Sequence, residues 1–348
     1  MQARFLLVLW PQARPAPSDI TKVPHTVMAE GAGYCFLTSA EDNASSPIVA
    51  SHQHWQLLHG EVFTQTTQRV GSTPEQYCTQ QQDLLGNALL LASNDAAWLA
   101  QCGQFWGDFF AFQFNKQTGS FRCYLSPMAR QEWFYLRHQG AIWISNDIAA
   151  LALLSFRREP DWDYLYYSFF ANGQPSTKTG LMGVRRILGG QSLCAVDGLH
   201  VDGLQTEASL LHQSHWDLFP QYRPQPRYDI QQASVEFAAQ TQAVIAARIA
   251  LHERVVVQLS GGFDSAILLA CVRDLKAADQ VLAVNYYDAG DASDERPFAQ
   301  AMADHVGVKL TTMPLSSTSE AGGQVLARLA TVAWALEPSG QSFGMRAS

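Results

Sequence analysis

The stretch Val255–Val272, VVVQLSGGFDSAILLACV, sets a short apolar strand and an apolar helix on either side of two glycines, two serines and an aspartate. Val255, Val256, Val257 and Leu259 read as a buried strand, and Ala266 to Val272 read as a helix with Asp264 and Ser265 at its start. A Ser-Gly-Gly turn running into a helix N-terminus leaves several backbone N–H groups unpaired and pointing one way. It forms a nest for an oxyanion, aided by the positive end of the helix dipole. An ordinary strand–turn–helix would also use glycines, for close packing. Asp264 argues against that plainer reading, because a carboxylate beside a bound phosphate needs a divalent cation between the two.

Downstream the same grammar repeats. VLAVNYYD gives another apolar strand, SDERPFAQAMADHVG a helix and KLTTMPL a third strand, while Ile230–His252 upstream forms a long helix with Phe237, Val244, Ile245 and Ile249 at helical spacing. Strands alternating with helices imply a parallel sheet, whose ligands bind at the carboxyl ends of the strands, where the Ser260–Ser265 turn lies.

The first two hundred residues follow a different pattern. FWGDFFAFQFNKQTGSFRCYLSP reads as a hairpin with arms Phe105–Phe114 and Phe121–Ser126, and WFYLRHQGAIWISND as a second hairpin turning at Gln139-Gly140. Both faces of these strands carry large apolar groups, so the sheet should be covered on both sides. Ile148–Phe156 and Asp161–Ala171 read as helices, and GGQSLCAVDGLHVDG as two more short strands. Three prolines within His215–Asp229 make that stretch the linker, giving domains 1–214 and 229–348 with 215–228 between them.

Composition narrows the class. The chain has 348 residues, 47% apolar and 16% charged, with a net charge of −8. That suits a well-buried globule of two domains and leaves no basic block for sequence-independent nucleic-acid binding. No apolar run reaches membrane-spanning length, and Phe5–Trp10 is strand-sized, so neither a membrane nor a nucleic acid is an expected partner. The six cysteines lack CxxC spacing and sit in apolar segments, as reduced core thiols of a cytoplasmic protein do. His52, His54 and His59 lack a fourth ligand for zinc. DYLYYSFF, Asp163–Phe170, reads as a core face, and DASDE near Asp291 as a solvated loop ending in a helix cap.

Strand–SGGxDS–helix resembles the signature of the PP-loop, N-type ATP pyrophosphatases, which hold the pyrophosphate end of ATP in this turn. The preceding domain resembles that of asparagine synthetases. Phe105–Leu151 is similar to a Gly-x-Phe-Ala-Phe strand leading through two hairpins to a Ser-Glu-Ile helix, with Asp147 in place of the glutamate. GVRRILGGQSLC resembles a Gly-Ile-x-x-Leu-Pro-Gly segment, and NYYDAGDASDERPFAQAMADHVGV the segment after the second synthetase strand. The resemblance implies an α+β N-terminal Ntn-hydrolase-like sandwich, followed by an α/β parallel-sheet PP-loop domain of the adenine nucleotide alpha hydrolase-like type.

Departures from that family carry as much information. Glutamine-using members place a cysteine directly after Met1; this chain has Gln2, whose carboxamide is no nucleophile. HGEVFT, from His59, stands where the family has Asn-Gly-Glu-Ile-Tyr-Asn with its oxyanion hole. A degenerate first domain without glutaminase activity follows, and the attacking amine must come from elsewhere. Loss of the cysteine is shared with β-lactam synthetases and lasso peptide cyclases, and RFLLVLWP at the start looks more like the latter.

The resemblance implies an ATP-dependent amide-forming synthetase using ATP and Mg²⁺. Ser260, Gly261, Gly262 and Ser265 would hold pyrophosphate, Asp264 would hold the metal, and Leu259 and Tyr286 would flank the adenine. The substrate would be a precursor peptide closed into a macrolactam, or a small-molecule carboxylate. In the peptide reading a leader-peptide-binding protein and a leader peptidase are further partners. The alternatives are a β-lactam synthetase or ammonia-dependent asparagine synthetase relative, and a catalytically inactive nucleotide-binding protein. The family's second acidic motif and catalytic dyad find no match between Leu315 and Ser348, so the catalytic residues are expected beyond Ser348 and the chain is expected to be truncated.

Overall fold

Five consecutive apolar residues, Phe5–Leu9, form a strand whose side chains are all buried. A strand buried on both faces must lie inside a layered structure. The computed structural model describes residues 4–39, 48–51, 53–64, 95–171, 174, 176–195, 210–216, 229–287 and 294–314. These fall into two compact units, one of residues up to 216 and one of residues 229–314.

The strands of the first unit are β1 (Phe5–Leu9), β2 (Thr26–Gly31), β3 (Tyr34–Thr38), β4 (Ile48–Ala50), β5 (His54–Thr64) and β6 (Phe105–Asn115). They continue with β7 (Phe121–Leu125), β8 (Trp133–His138), β9 (Ala141–Ser145), β10 (Val184–Ile187), β11 (Gln191–Ala195) and β12 (Leu211–Ser214). They form two six-stranded sheets, ordered β10-β8-β9-β1-β3-β2 and β12-β11-β7-β6-β5-β4. Phe5, Leu7, Phe36, Trp133 and Ile144 of one sheet share a core with Leu57, Phe110, Phe112, Phe114 and Leu193 of the other. The outer face of the first sheet is covered by helix α2 (Ile148–Ala152), through Leu6, Val8, Trp143 and Leu151. Helix α1 (Asp95–Cys102) covers the second through Trp98, Cys102, Phe109 and Tyr124. This four-layer sandwich explains why the strands carry large apolar side chains on both faces.

Both expected hairpins are present, β6–β7 and β8–β9. Gln139 and Gly140 turn the second with positive φ, 52° and 69°. Asp147 caps α2, accepting from Ala149 N at 3.0 Å, and α2 ends at Ala152, sooner than the expected Phe156. The 3₁₀ turn Ser18–Lys22 is pinned by Asp19, which is buried. Its carboxylate accepts from His138 Nε2 at 2.8 Å and Ser155 N at 2.6 Å and pairs with Lys22 Nζ at 2.7 Å. Burial pushes this carboxyl up, but the bonds from Lys22, Ser155 and His138 outweigh it and hold it well below the usual carboxylate range.

Helix α3 (Trp162–Phe170) corrects the reading of DYLYYSFF as a core face. Only Tyr164 is buried on it, while Trp162, Tyr166, Phe169 and Phe170 are exposed. Asp161, accepting from Tyr164 N, sets the helix phase so that Tyr164 turns inward and the other rings turn outward. His215, at the start of the expected linker 215–228, is among the described residues. His215 Nε2 meets Ser192 Oγ at 2.6 Å and His215 N donates to Gly190 O, so the sheet holds this residue. Residues 217–228, and the second strand expected after Ala195 as far as residue 209, lie outside the described residues.

The second unit has helix α4 (Ile230–Ile249), strand β13 (Val255–Gln258), helix α5 (Phe263–Asp274), strand β14 (Val281–Tyr287), helix α6 (Arg296–Val306) and strand β15 (Lys309–Pro314). The three strands are parallel in the order β13-β14-β15, with Val257 beside Ala283 and Ala283 beside Leu310. Ile249, Leu259, Leu269, Val272, Ala283, Ala299 and Ala303 pack the helices onto one face of this sheet. Phe237, expected in the core, is exposed; the buried residues of α4 are Ala243, Ala246, Ala247 and Ile249, in its second half. Small side chains let that half lie close to its neighbours, which a phenylalanine there would prevent.

Candidate functional site

At the carboxyl end of β13 the chain must leave the sheet and enter α5 within a few residues. Leu259 makes the last ladder bond, donating from N to Val284 O at 2.8 Å, and its side chain is buried under the helices. Asn285 Nδ2 donates to Leu259 O at 2.8 Å, so the next strand holds the base of the turn. Gly261 then adopts φ +90°, and a Cβ there would lie 2.8 Å from Glu295 O and 3.1 Å from Phe298 Cβ. Only glycine fits that backbone and that space.

Gly262 caps α5 without a side-chain bond, and Ala266 N donates to Gly262 O at 3.2 Å. The helix thus starts at Phe263, with Asp264 and Ser265 in its first turn, as expected. Inside the turn Ser265 Oγ accepts from Ser260 N at 3.3 Å and lies 3.2 Å from Ser260 Oγ, which accepts from Gly262 N at 3.2 Å. The two hydroxyls brace the loop from within. The N–H groups of Gly261, Phe263, Asp264 and Ser265 have no partner among the described residues. They are the donors a helix N-terminus offers an anion.

Asp264 is exposed and has no hydrogen bond or ion pair among the described residues. Asp294 differs: its carboxylate accepts from Arg296 Nε at 2.8 Å and Nη2 at 2.7 Å. Those bonds hold its carboxyl below the usual range. Arg296 also lies 3.9 Å over the ring of Tyr287, so the start of α6 is tied to the end of β14. Asp291 lies outside the described residues.

A magnesium ion asks for one or two carboxylates, phosphate oxygens and water. Asp264 beside the donor turn fits that set. Among the described residues no group of three His, Cys, Asp or Glu could hold a metal by itself. Tyr286 presents a partly exposed ring at the carboxyl edge. Leu259, expected with Tyr286 beside an adenine, has its side chain buried, whereas the Tyr286 side chain is exposed. Sequence reasoning missed Asn285 as the anchor. Its signal was an asparagine inside the apolar run VLAVNYY, since a buried amide needs a partner.

In the first unit, the segment from His59 lies in β5. His59 is buried, its ring 4.8 Å from that of Phe5 and 6.2 Å from that of Trp133. Burial, opposed in part by Asp108, pushes its imidazole down to about 4. Gln2 and Cys78 lie outside the described residues, and the other five cysteines are free and buried. No helix of the described residues is long and apolar enough to cross a membrane.

Residues 236–344 match the family model of asparagine synthase, a span that contains the whole strand–turn–helix site. No curated protein matches the chain. Among solved structures, one described as the allosteric regulatory enzyme of purine biosynthesis is 10% identical with a TM-score of 0.35, over 90% of this chain and 74% of that one. Glutamine phosphoribosylpyrophosphate amidotransferase from B. subtilis, complexed with ADP and GMP, is 8% identical with a TM-score of 0.34, over 93% of this chain and 64% of that one. Glutamine-dependent NAD⁺ synthetase from Acinetobacter baumannii, in complex with ADP, is 16% identical with a TM-score of 0.23. That match spans 56% of this chain and 36% of the synthetase.

Proposed function

We propose that residues 229–348 bind ATP for an amide-forming ligation in which a carboxylate is activated as its adenylate. The observation that carries this reading is the turn Ser260–Ser265: four N–H donors and one carboxylate with no partner among the described residues, beside two hydroxyls, inside a span matching the asparagine synthase family. A carboxylate does not condense with an amine at useful rates because its oxygen leaves poorly. In the proposed reaction it attacks the α-phosphorus of ATP, and the bond to the bridging oxygen breaks to release pyrophosphate. An amine then attacks the acyl carbon and AMP departs. The turn holds the pyrophosphate end through backbone and hydroxyl donors, strongest as charge builds on the leaving group. Asp264 would hold Mg²⁺, which supplies charge compensation on the phosphates.

Residues 1–214 act in this reading as a degenerate glutaminase-like domain, with Gln2 at the nucleophile position and His59 enclosed by aromatic rings. The amine then belongs to the substrate itself, which favours ring closure. Holding the amine against the activated acyl group contributes about 7–11 kcal/mol to such a step. A precursor peptide closed into a lasso-type macrolactam is the preferred substrate, with a leader-peptide-binding protein and a leader peptidase as partners. A small carboxylate closed to a β-lactam is the second choice.

The test is nucleotide binding by calorimetry with ATP and Mg²⁺, followed by ATP–pyrophosphate exchange with the candidate peptide. Binding lost in Ser265→Ala together with Asp264→Ala, and exchange that depends on the peptide, is the expected result. Equal binding by the wild type and the double variant would remove the turn as the nucleotide site.

A further inference from the structure

We propose that α3 is the contact helix of a symmetric homodimer. Tyr164 is buried on the inner side of the helix, while its outer side carries a stripe of rings beside one exposed carboxylate, Asp163, which lies 3.8 Å from Lys178 Nζ. An exposed apolar stripe with a polar rim marks an interaction surface. Trp162, Tyr166, Phe169 and Phe170 recur at helical spacing and are 72%, 70%, 82% and 68% exposed, with Tyr167 at 46% on the flank. Three of these rings touch: those of Tyr166 and Phe170 lie 4.6 Å apart and those of Phe169 and Phe170 5.3 Å apart. No charged residue interrupts the run from Tyr164 to Phe170.

Area decides the occupant. An aromatic side chain buries roughly 150–250 Å², so these exposures offer about 650 Å² per copy, above the 300–600 Å² of a typical monomer's largest apolar patch. Two copies together bury about 1,300 Å², inside the range of stable interfaces, about 1,200–2,000 Å². A two-fold pair uses the same patch twice, and an antiparallel pairing of a helix this short sets its middle residue, Tyr166, opposite itself. This inference is independent of the nucleotide site.

The full chain should sediment at twice 38.4 kDa at about 20 μM. Phe169→Glu should weaken the dimer at least about 30-fold, with an unchanged melting temperature for the monomer, while Val27→Glu, at another exposed apolar position, leaves it intact. Tyr166→Cys should give a disulfide-linked dimer under oxidation. A monomeric wild type, a dimeric Phe169→Glu variant, or no cross-link from Tyr166→Cys would each overturn the proposal. So would a Phe169→Glu monomer that melts several degrees lower, because the stripe would then be packed on its own chain.

Discussion

The β5 segment from His59 in the first unit and the turn from Ser260 in the second both contain a glycine with positive φ, 109° at Gly60 and 90° at Gly261. Their surroundings differ in one respect. Around His59 the space is filled, by Phe5 and Trp133, and the imidazole is held neutral. Around Ser260 the backbone donors and the Asp264 carboxylate stand open to water. A polar site for a ligand keeps its desolvation for the moment of binding, whereas a scaffold gains stability by filling the space around a glycine with rings. The difference fits a structural role for the Gly60 segment and the proposed ligand site at the Gly261 turn.

The largest expected effect breaks the scaffold side. Asp19→Asn removes the charge that Lys22, His138 and Ser155 share, and should destabilise the first unit by about 3 kcal/mol. Every tryptophan among the described residues lies in the first unit, so fluorescence-detected denaturation reads that unit directly. Because the Asp19 carboxyl lies below its ordinary 3.8, its contribution is present above that pH and is lost as the pH falls further. An unchanged midpoint in Asp19→Asn would contradict the pinning role.

On the ligand side, Gly261→Val should lower ATP affinity about 100-fold, close to 2.7 kcal/mol, while tryptophan-detected stability stays as in the wild type. A smaller step sharpens the metal assignment. Asp264→Ala should cost about tenfold in Mg–ATP affinity, whereas Asp294→Ala, already occupied with Arg296, should cost less than about twofold. Equal losses in calorimetry would reject Asp264 as the metal ligand.

A pH-dependent effect concerns His59. Its imidazole, lowered to about 4 from 6.5, binds a proton more readily in the unfolded chain across that interval. The first unit should therefore lose stability as pH drops from about 6.5 toward 4, and His59→Phe should flatten that slope without touching ATP binding. A slope that survives the substitution would point to another group.

Elements with a strong period were legible in the sequence. The two hairpins and the strand–turn–helix from Val255 announce themselves through apolar alternation and turn residues, all local signals. What failed was non-local. Nothing within DYLYYSFF says that its rings face outward, because that depends on where Asp161 phases the helix against the sheet. Phe237 has the right spacing for a core, but its half of α4 extends past the alanines that make the contact. Leu259 could be placed in the buried strand, yet its bond to Val284 O follows from the pairing of β13 with β14. Asn285 escaped because its partner lies twenty-six residues earlier.

The bond from Leu259 N to Val284 O, followed so closely by donors with no acceptor, has a consequence for amide exchange. In heavy water the Leu259 proton should persist, since releasing it requires opening the sheet. Those of Gly261, Phe263, Asp264 and Ser265 should exchange nearly as fast as in a free peptide. The protection profile should fall by several orders of magnitude between Leu259 and Gly261, and bound nucleotide should raise its low end alone, printing the outline of the phosphates onto four fast amides.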